Sequence, residues 1–169
     1  KVFSENRKKK NDAAFKALLE SELGHPVVII PWTPHEDDVY GHSDGFIKWC
    51  GDNRILMGNH GDCYPEEAAS IRRILESYGF EVTEMRFKDK VSMPCYELNW
   101  AYINFLQVGK NIIMPIFDIP EDAIAQQYIQ TAFPNCNIRQ IEMKEIAKEG
   151  GALHCLSWNV YFPKSQVKM

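Results

Sequence analysis

The sequence predicts an α/β fold of packed modules with mixed sheets, and three observations carry that expectation. The first is an internal recurrence. Residues 45–58, GFIKWCGDNRILMG, set two short apolar runs around the turn Gly51-Asp52-Asn53, and residues 100–117, WAYINFLQVGKNIIMPIF, do the same around Gly109-Lys110-Asn111. The second is that each pair of runs is followed by a helix and then a strand, which orders each unit as strand, strand, helix, strand. The third is that 169 residues, 45% of them apolar, suffice for one ordinary domain with a core.

The chain opens on a partial copy of this plan. NDAAFKALLESEL, ending at Leu23, is amphipathic and stops at Gly24, and PVVIIPW reads as a strand. Residues 1–33 are therefore expected to be the helix and strand of a truncated module whose hairpin is absent.

Residues 41–88 are expected to be the first full module. After its hairpin, Pro65-Glu66-Glu67 suits a first helical turn, because proline fixes φ where no N–H is needed and the acids meet the positive helix end. Ile71, Ile74, Leu75 and Tyr78 form the apolar stripe, Gly79 ends the helix, and FEVTEMRF alternates as a strand. Residues 99–144 repeat the pattern: Pro120-Glu121-Asp122 starts the helix AIAQQYIQTAF, Pro134-Asn135 ends it, and NIRQIEM closes the module. Residues 150–163 supply the opening strand of a further module, LHCLSWNVYF. The incomplete first copy and the start at Lys1 lead to the expectation that these residues form a single-domain fragment of a longer chain, or that a partner supplies the rest.

Composition narrows the function classes. A formal net charge of −4 leaves no basic face for nucleic acid or anionic lipid, and no apolar run approaches the roughly 18 residues that span a bilayer. The first residues are too polar for a signal peptide. Five cysteines, Cys50, Cys63, Cys95, Cys136 and Cys155, show no CxxC spacing. Reduced thiols and a cytoplasmic location are the expectation.

Two stretches carry candidate chemistry. In GGALHCLSWN, Cys155 follows Gly150-Gly151, where backbone can approach a ligand closely. As a thiolate it is a nucleophile; as a buried strand residue it is a small hydrophobe. In Gly41-His42-Ser43-Asp44-Gly45, a strand would turn His42 and Asp44 to one side, so that an imidazole and a carboxylate enter one pocket. If the modules are related by rotation, equivalent strand starts converge on an axis and bring His42 and Asp44 to Cys155. A competing use is metal binding by His42 and Asp44 with His35, Glu36, Asp37, Asp38, His60 and Asp62, although their spacing fits no dedicated metal motif. Trp100 and Asn104 are candidate pocket residues, with core or strand-edge roles as the alternative.

With GHSDG before a strand, GGALHC near the C-terminus, and the segments KVFSEN, WAYINF and PIFD followed by PED between them, the chain resembles the agmatine deiminase or Porphyromonas-type peptidylarginine deiminase family, over nearly all its length. The resemblance implies a pentein-like α/β propeller, here partial, of five ββαβ modules about a pseudo-fivefold axis. It implies hydrolysis of a guanidinium group to a ureido group with release of ammonia, and no metal or organic cofactor. Carried over, Cys155 attacks the guanidinium carbon, His42 protonates the departing ammonia and then activates water, and Asp44 holds the guanidinium nitrogens. Asp44, Gly151, Asn104 and Trp100 are the expected substrate-binding residues. The implied partner is a small cationic guanidino substrate, agmatine foremost, with no nucleic acid or membrane. The family uses two further acids from an N-terminal half; Asp37, Asp38 and Glu97 are the only stand-ins to suggest here. A missing N-terminal half is therefore required, and a homo-oligomer stays open. A non-catalytic module of the same fold and a metallohydrolase are the other two readings.

Overall fold

A computed structural model describes residues 12–30, 42–87 and 99–160. The chain divides into two compact units, Lys1–Arg86 and Phe87–Met169, each mixed α/β.

In the first unit, helix α1 (Asp12–Leu23) stops at Gly24, whose φ of +66° is open to glycine without strain and whose N–H bonds Glu20 O at 2.9 Å. The Glu20 carboxylate accepts the Val27 N–H at 2.9 Å, which folds the chain back so that Val28 and Ile30 pack on the core. Residues 26–30 enter no strand ladder among the described residues, although PVVIIPW was expected as a strand. Val28 and Ile30 are used for packing instead, and Pro31 and Trp32 lie outside the described residues.

Strands β1 (Ile47–Trp49) and β2 (Arg54–Met57) pair antiparallel with Ile47 opposite Met57, across the predicted Gly51-Asp52-Asn53 turn. Gly51 and Asp52 both take positive φ there, a conformation glycine and aspartate tolerate best. A single helical turn, α2 (His60–Cys63), leads into α3 (Pro65–Ser77), which begins with proline as expected. Strand β3 (Glu81–Glu84) then lies parallel to β2, with Arg54 opposite Glu81. β2 is the middle strand, and Ile55 and Met57 on one face meet Ala68, Ile71 and Leu75 of α3. The spacing of those three helical residues puts them on one stripe, and truncating Ile71 or Leu75 to alanine would cost about 2–5 kcal/mol through lost burial and the cavity left behind.

The second unit opens on a 3-10 helix at Asn99–Ile103, followed by β4 (Leu106–Val108) and β5 (Asn111–Ile116), antiparallel across Gly109-Lys110. Helix α4 (Glu121–Ala132) crosses to β6 (Asn137–Glu142), which runs parallel to β5, and α5 (Lys144–Ala147) follows. The strand order is the same as in the first unit, with the hairpin's second strand in the middle. Tyr102, Phe105, Ile112, Met114, Phe117 and Ile129 are fully buried. The rings of Tyr102 and Phe117 meet at 5.0 Å, and those of Phe105 and Phe133 meet edge-on at 5.5 Å.

Three further expectations need correction. WAYINF is no strand, since Asn99–Ile103 coils into a 3-10 helix that sends successive apolar side chains into the core. LHCLSWNVYF does not open as a strand either, because residues 153–156 form a turn and residues 157–160 join no ladder; residues 161–163 lie outside the described set. Nor are all the thiols reduced. Cys63 is disulfide-bonded, whereas Cys50, Cys136 and Cys155 are in no disulfide and Cys95 lies outside the described residues.

Candidate active site

Asn104 organises the glycine-cysteine segment. Its N–H bonds Ala101 O at 3.0 Å, which seats it at the end of the 3-10 helix between the buried Ile103 and Phe105. A buried amide has to satisfy its donors and acceptors internally. Here the Oδ1 oxygen accepts the N–H groups of Ala152 at 3.0 Å and Cys155 at 3.1 Å, and the main-chain oxygen accepts the His154 N–H at 2.9 Å. Two N–H donors on Oδ1 fix which end of the amide is oxygen. The Nδ2 group therefore faces Cys155 Sγ, at 3.1 Å, as a donor.

The glycines before the turn serve its geometry. Gly150 takes φ +94° as the chain leaves α5, and its N–H bonds Ala147 O at 3.1 Å. At Gly151 a Cβ would stand 3.1 Å from the Cβ of Cys155 and 3.5 Å from its sulfur. The close approach expected at Gly151 is thus to Cys155 itself. Leu156 N–H closes the turn on Ala152 O at 3.2 Å, and His154 and Cys155 are both exposed. An exposed thiol on a turn held by a buried amide is a suitable nucleophile, whereas the buried-strand alternative does not describe Cys155.

The segment bearing Asn104 is itself anchored. The Tyr102 hydroxyl donates to Asp122 Oδ1 at 2.5 Å, and the same carboxylate accepts the N–H groups of Phe117 at 3.0 Å and Ile119 at 3.2 Å at the start of α4. Burial, and after it the Asp122 carboxylate, push the Tyr102 hydroxyl far above the usual tyrosine range, so it remains a donor at any working pH. The sequence assigns no role to Tyr102, and to Asp122 only that of an acid in the first turn of the helix. The one available signal was a polar Asn104 inside the apolar run AYINFL, since a polar residue in such a run must find partners.

In the first unit, Ser43–Gly45 forms a 3-10 turn with His42 at its N-terminal edge, φ −78° and ψ 94°. A strand would have put His42 and Asp44 on one side. At three residues per turn, positions i and i+2 diverge, so that argument does not hold for this segment. His42 is exposed and Asp44 half-buried. Phe46 N–H closes the turn on Ser43 O at 3.1 Å, and Gly58 N–H bonds Phe46 O at 2.8 Å, tying it to the strand pair. His60, a metal candidate by sequence, lies in an aromatic setting, 4.7 Å from the Phe46 ring and 5.2 Å from Tyr64, with its Nε2 3.6 Å from the Glu67 carboxylate.

Of the predicted site residues, the fold brings Asn104, Gly151 and Cys155 together in the second unit, while His42 and Asp44 share one turn in the first. Trp100 lies in the 3-10 helix, and its side chain is outside the described set, as are His35, Glu36, Asp37, Asp38 and Glu97. Among the described residues, no group of three or more His, Cys, Asp or Glu side chains is placed to hold a metal ion. No described helix is long and apolar enough to cross a membrane.

The sequence pattern of Porphyromonas-type peptidyl-arginine deiminases matches residues 2–160. The chain belongs to this family. An agmatine deiminase of Pseudomonas fluorescens is 39% identical over 172 residues, covering 84% of this chain and 46% of the relative. Two solved structures share the fold. One is a C. jejuni agmatine deiminase with substrate bound, with TM-score 0.71 and 19% identity over 90% of this chain and 48% of that one. The other is the agmatine deiminase of Enterococcus faecalis, with TM-score 0.65 and 18% identity over 87% and 48%. The chain spans about half the length of these deiminase-family relatives.

Proposed function

We propose that this chain is the C-terminal part of a cysteine-dependent guanidine iminohydrolase, acting on agmatine or a similar small cationic guanidine. Family membership supports the reaction class, and the observation that carries the mechanism is the exposed Cys155 thiol, outside any disulfide, on a turn held by Asn104. The Cys155 thiolate attacks the guanidinium carbon, forming a C–S bond and a tetrahedral centre. His42 delivers a proton to one nitrogen, the C–N bond breaks, and ammonia leaves behind a thiouronium. His42, now neutral, takes a proton from water. The hydroxide adds to the same carbon, and the C–S bond breaks as the hydroxyl proton passes to the departed ammonia or to solvent, releasing a neutral ureido product and the thiolate. Asp44 holds the guanidinium nitrogens, orients them and balances their charge. The substrate's own positive charge favours the thiolate.

On this reading the two three-stranded sheets belong to successive ββαβ modules of a partial propeller, and residues 1–33 and 150–163 to flanking modules. The remaining acids of the site come from an N-terminal half, and the reaction requires no cofactor.

The test is ammonia release from agmatine by the complete protein. Cys155→Ala is expected to abolish release with an unchanged unfolding midpoint, and unchanged release in that variant would remove the proposal. A second reading is a non-catalytic module of the same fold that binds a cationic ligand. Agmatine binding measured calorimetrically on the complete protein, with no ammonia released, would support it.

A further inference from the structure

We infer that Asn104 is a positioning residue for the thiolate: its carbonyl groups hold the backbone of the cysteine turn, and its amide N–H is the donor that stabilises negative charge on Cys155 Sγ. The inference rests on the reading of Cys155 as nucleophile and adds a job for a residue expected only to line the pocket. Four contacts carry it. The main-chain N–H groups of Ala152, His154 and Cys155 all end on Asn104, at 3.0, 2.9 and 3.1 Å, and Nδ2 stands 3.1 Å from the sulfur.

The division of labour follows from the amide's chemistry. An ionised sulfur accepts hydrogen bonds more strongly than a neutral thiol, so a fixed N–H donor favours the charged form. The donor is fixed because the other end of the amide is already committed to two N–H groups. Asn104 is fully buried, and its segment is pinned through Tyr102 to the Asp122 carboxylate at the start of α4. The sulfur thus meets its donor without ordering a mobile side chain, an arrangement in which a precisely held site loses least to entropy. Gly151 leaves space for the Cys155 side chain, since a Cβ there would stand 3.1 Å from the Cys155 Cβ and 3.5 Å from its sulfur.

Asn104→Asp separates the two jobs. The carboxylate keeps an acceptor for Ala152 and Cys155 but puts an acceptor, and charge, where the donor stood. Asn104→Ala removes both. The readout is the pH dependence of Cys155 alkylation by iodoacetamide, followed by peptide mass spectrometry on the complete protein, with circular dichroism as the folding control. Both variants are expected to shift the midpoint of alkylation to higher pH and to lower its rate at pH 7 by about tenfold, the effect of one hydrogen bond to a charged group. Profiles superimposable on the unsubstituted protein in folded Asn104→Asp would overturn the inference. Should neither variant fold, the unsubstituted protein still decides. The Asn104 side-chain amide proton resonances are expected to titrate with the Cys155 midpoint and to stop doing so in Cys155→Ser; resonances that ignore that midpoint overturn the inference. Because alkylation needs no turnover, this result and the ammonia test can fail separately.

Discussion

Asn104 accepts the N–H groups of Ala152 and Cys155 on its side-chain oxygen, at 3.0 and 3.1 Å, and that of His154 on its main-chain oxygen, at 2.9 Å. Removing the Asn104 side chain strips the N–H groups of Ala152 and Cys155 of their acceptor at once, at a cost of about 1–3 kcal/mol for each group left unsatisfied, so the contacts should act as a unit. The amides of Ala152 and Cys155 are predicted to be protected from hydrogen exchange and to lose that protection together in Asn104→Ala. Unchanged protection in the variant would show that the turn holds itself.

Tyr102 and Asp122 give the unit containing Asn104 a pH-sensitive contact. Tyr102 keeps its proton more tightly folded than unfolded, so its contribution is present below the ordinary tyrosine pKa of 10.0 and is lost as pH rises above it, where only the unfolded chain gives up the proton. Tyr102→Phe removes this hydroxyl from the Asp122 carboxylate and is expected to lower stability by about 1–3 kcal/mol at pH 7. It should also flatten the fall in stability above pH 10.0. Denaturant melts at neutral and alkaline pH check both, and an equally steep alkaline fall in the variant would contradict the assignment.

Gly61 is fixed by what surrounds it. Its N–H bonds Glu84 Oε1 at 2.9 Å, while Arg72 Nη2 holds the other Glu84 oxygen at 3.0 Å and Arg86 Nε meets Asp62 at 2.9 Å. A Cβ on Gly61 would fall on the Glu84 oxygen and the Arg86 guanidinium, so both side chains must move. Gly61→Ala is expected to destabilise the first unit by about 1–3 kcal/mol, measured by urea unfolding. A change below about 0.5 kcal/mol, the ordinary surface range, would contradict this role.

The free thiols differ in setting. Burial pushes the Cys50 thiol up, Cys136 is partly covered, and Cys155 is exposed beside an N–H donor. Iodoacetamide at neutral pH is predicted to modify Cys155 before Cys50. Equal rates at the two would remove the distinction.

Hydrophobic spacing and turn residues made α1, α3, α4 and the two hairpins legible, whereas the one-turn helices α2 and α5 carry no such spacing. Pro65 and Gly79 bracket α3, and the Gly51 and Gly109 turns fall where the sequence placed them. Local periodicity failed where tertiary burial decides the backbone. The runs WAYINF and LHCLSW are apolar enough for strands, but each coils because its side chains or N–H groups meet partners far along the chain. Asn104 illustrates the limit: its partners lie 48 to 51 residues away, a separation no local pattern encodes. Gly151, part of the glycine context that singles out Cys155 in the sequence, makes room for the cysteine itself, and the nucleophilic role of Cys155 is a proposal. The strand-face argument for His42 and Asp44 was lost to a 3-10 turn, and their proposed roles rest on family resemblance.

The most direct test of the central claim is mass spectrometry of the complete protein quenched during turnover of agmatine. An amidino adduct on the Cys155 peptide, formed as ammonia is released and decaying to free thiol, is predicted. Ammonia release with no adduct on Cys155, and at an undiminished rate in Cys155→Ala, would contradict it.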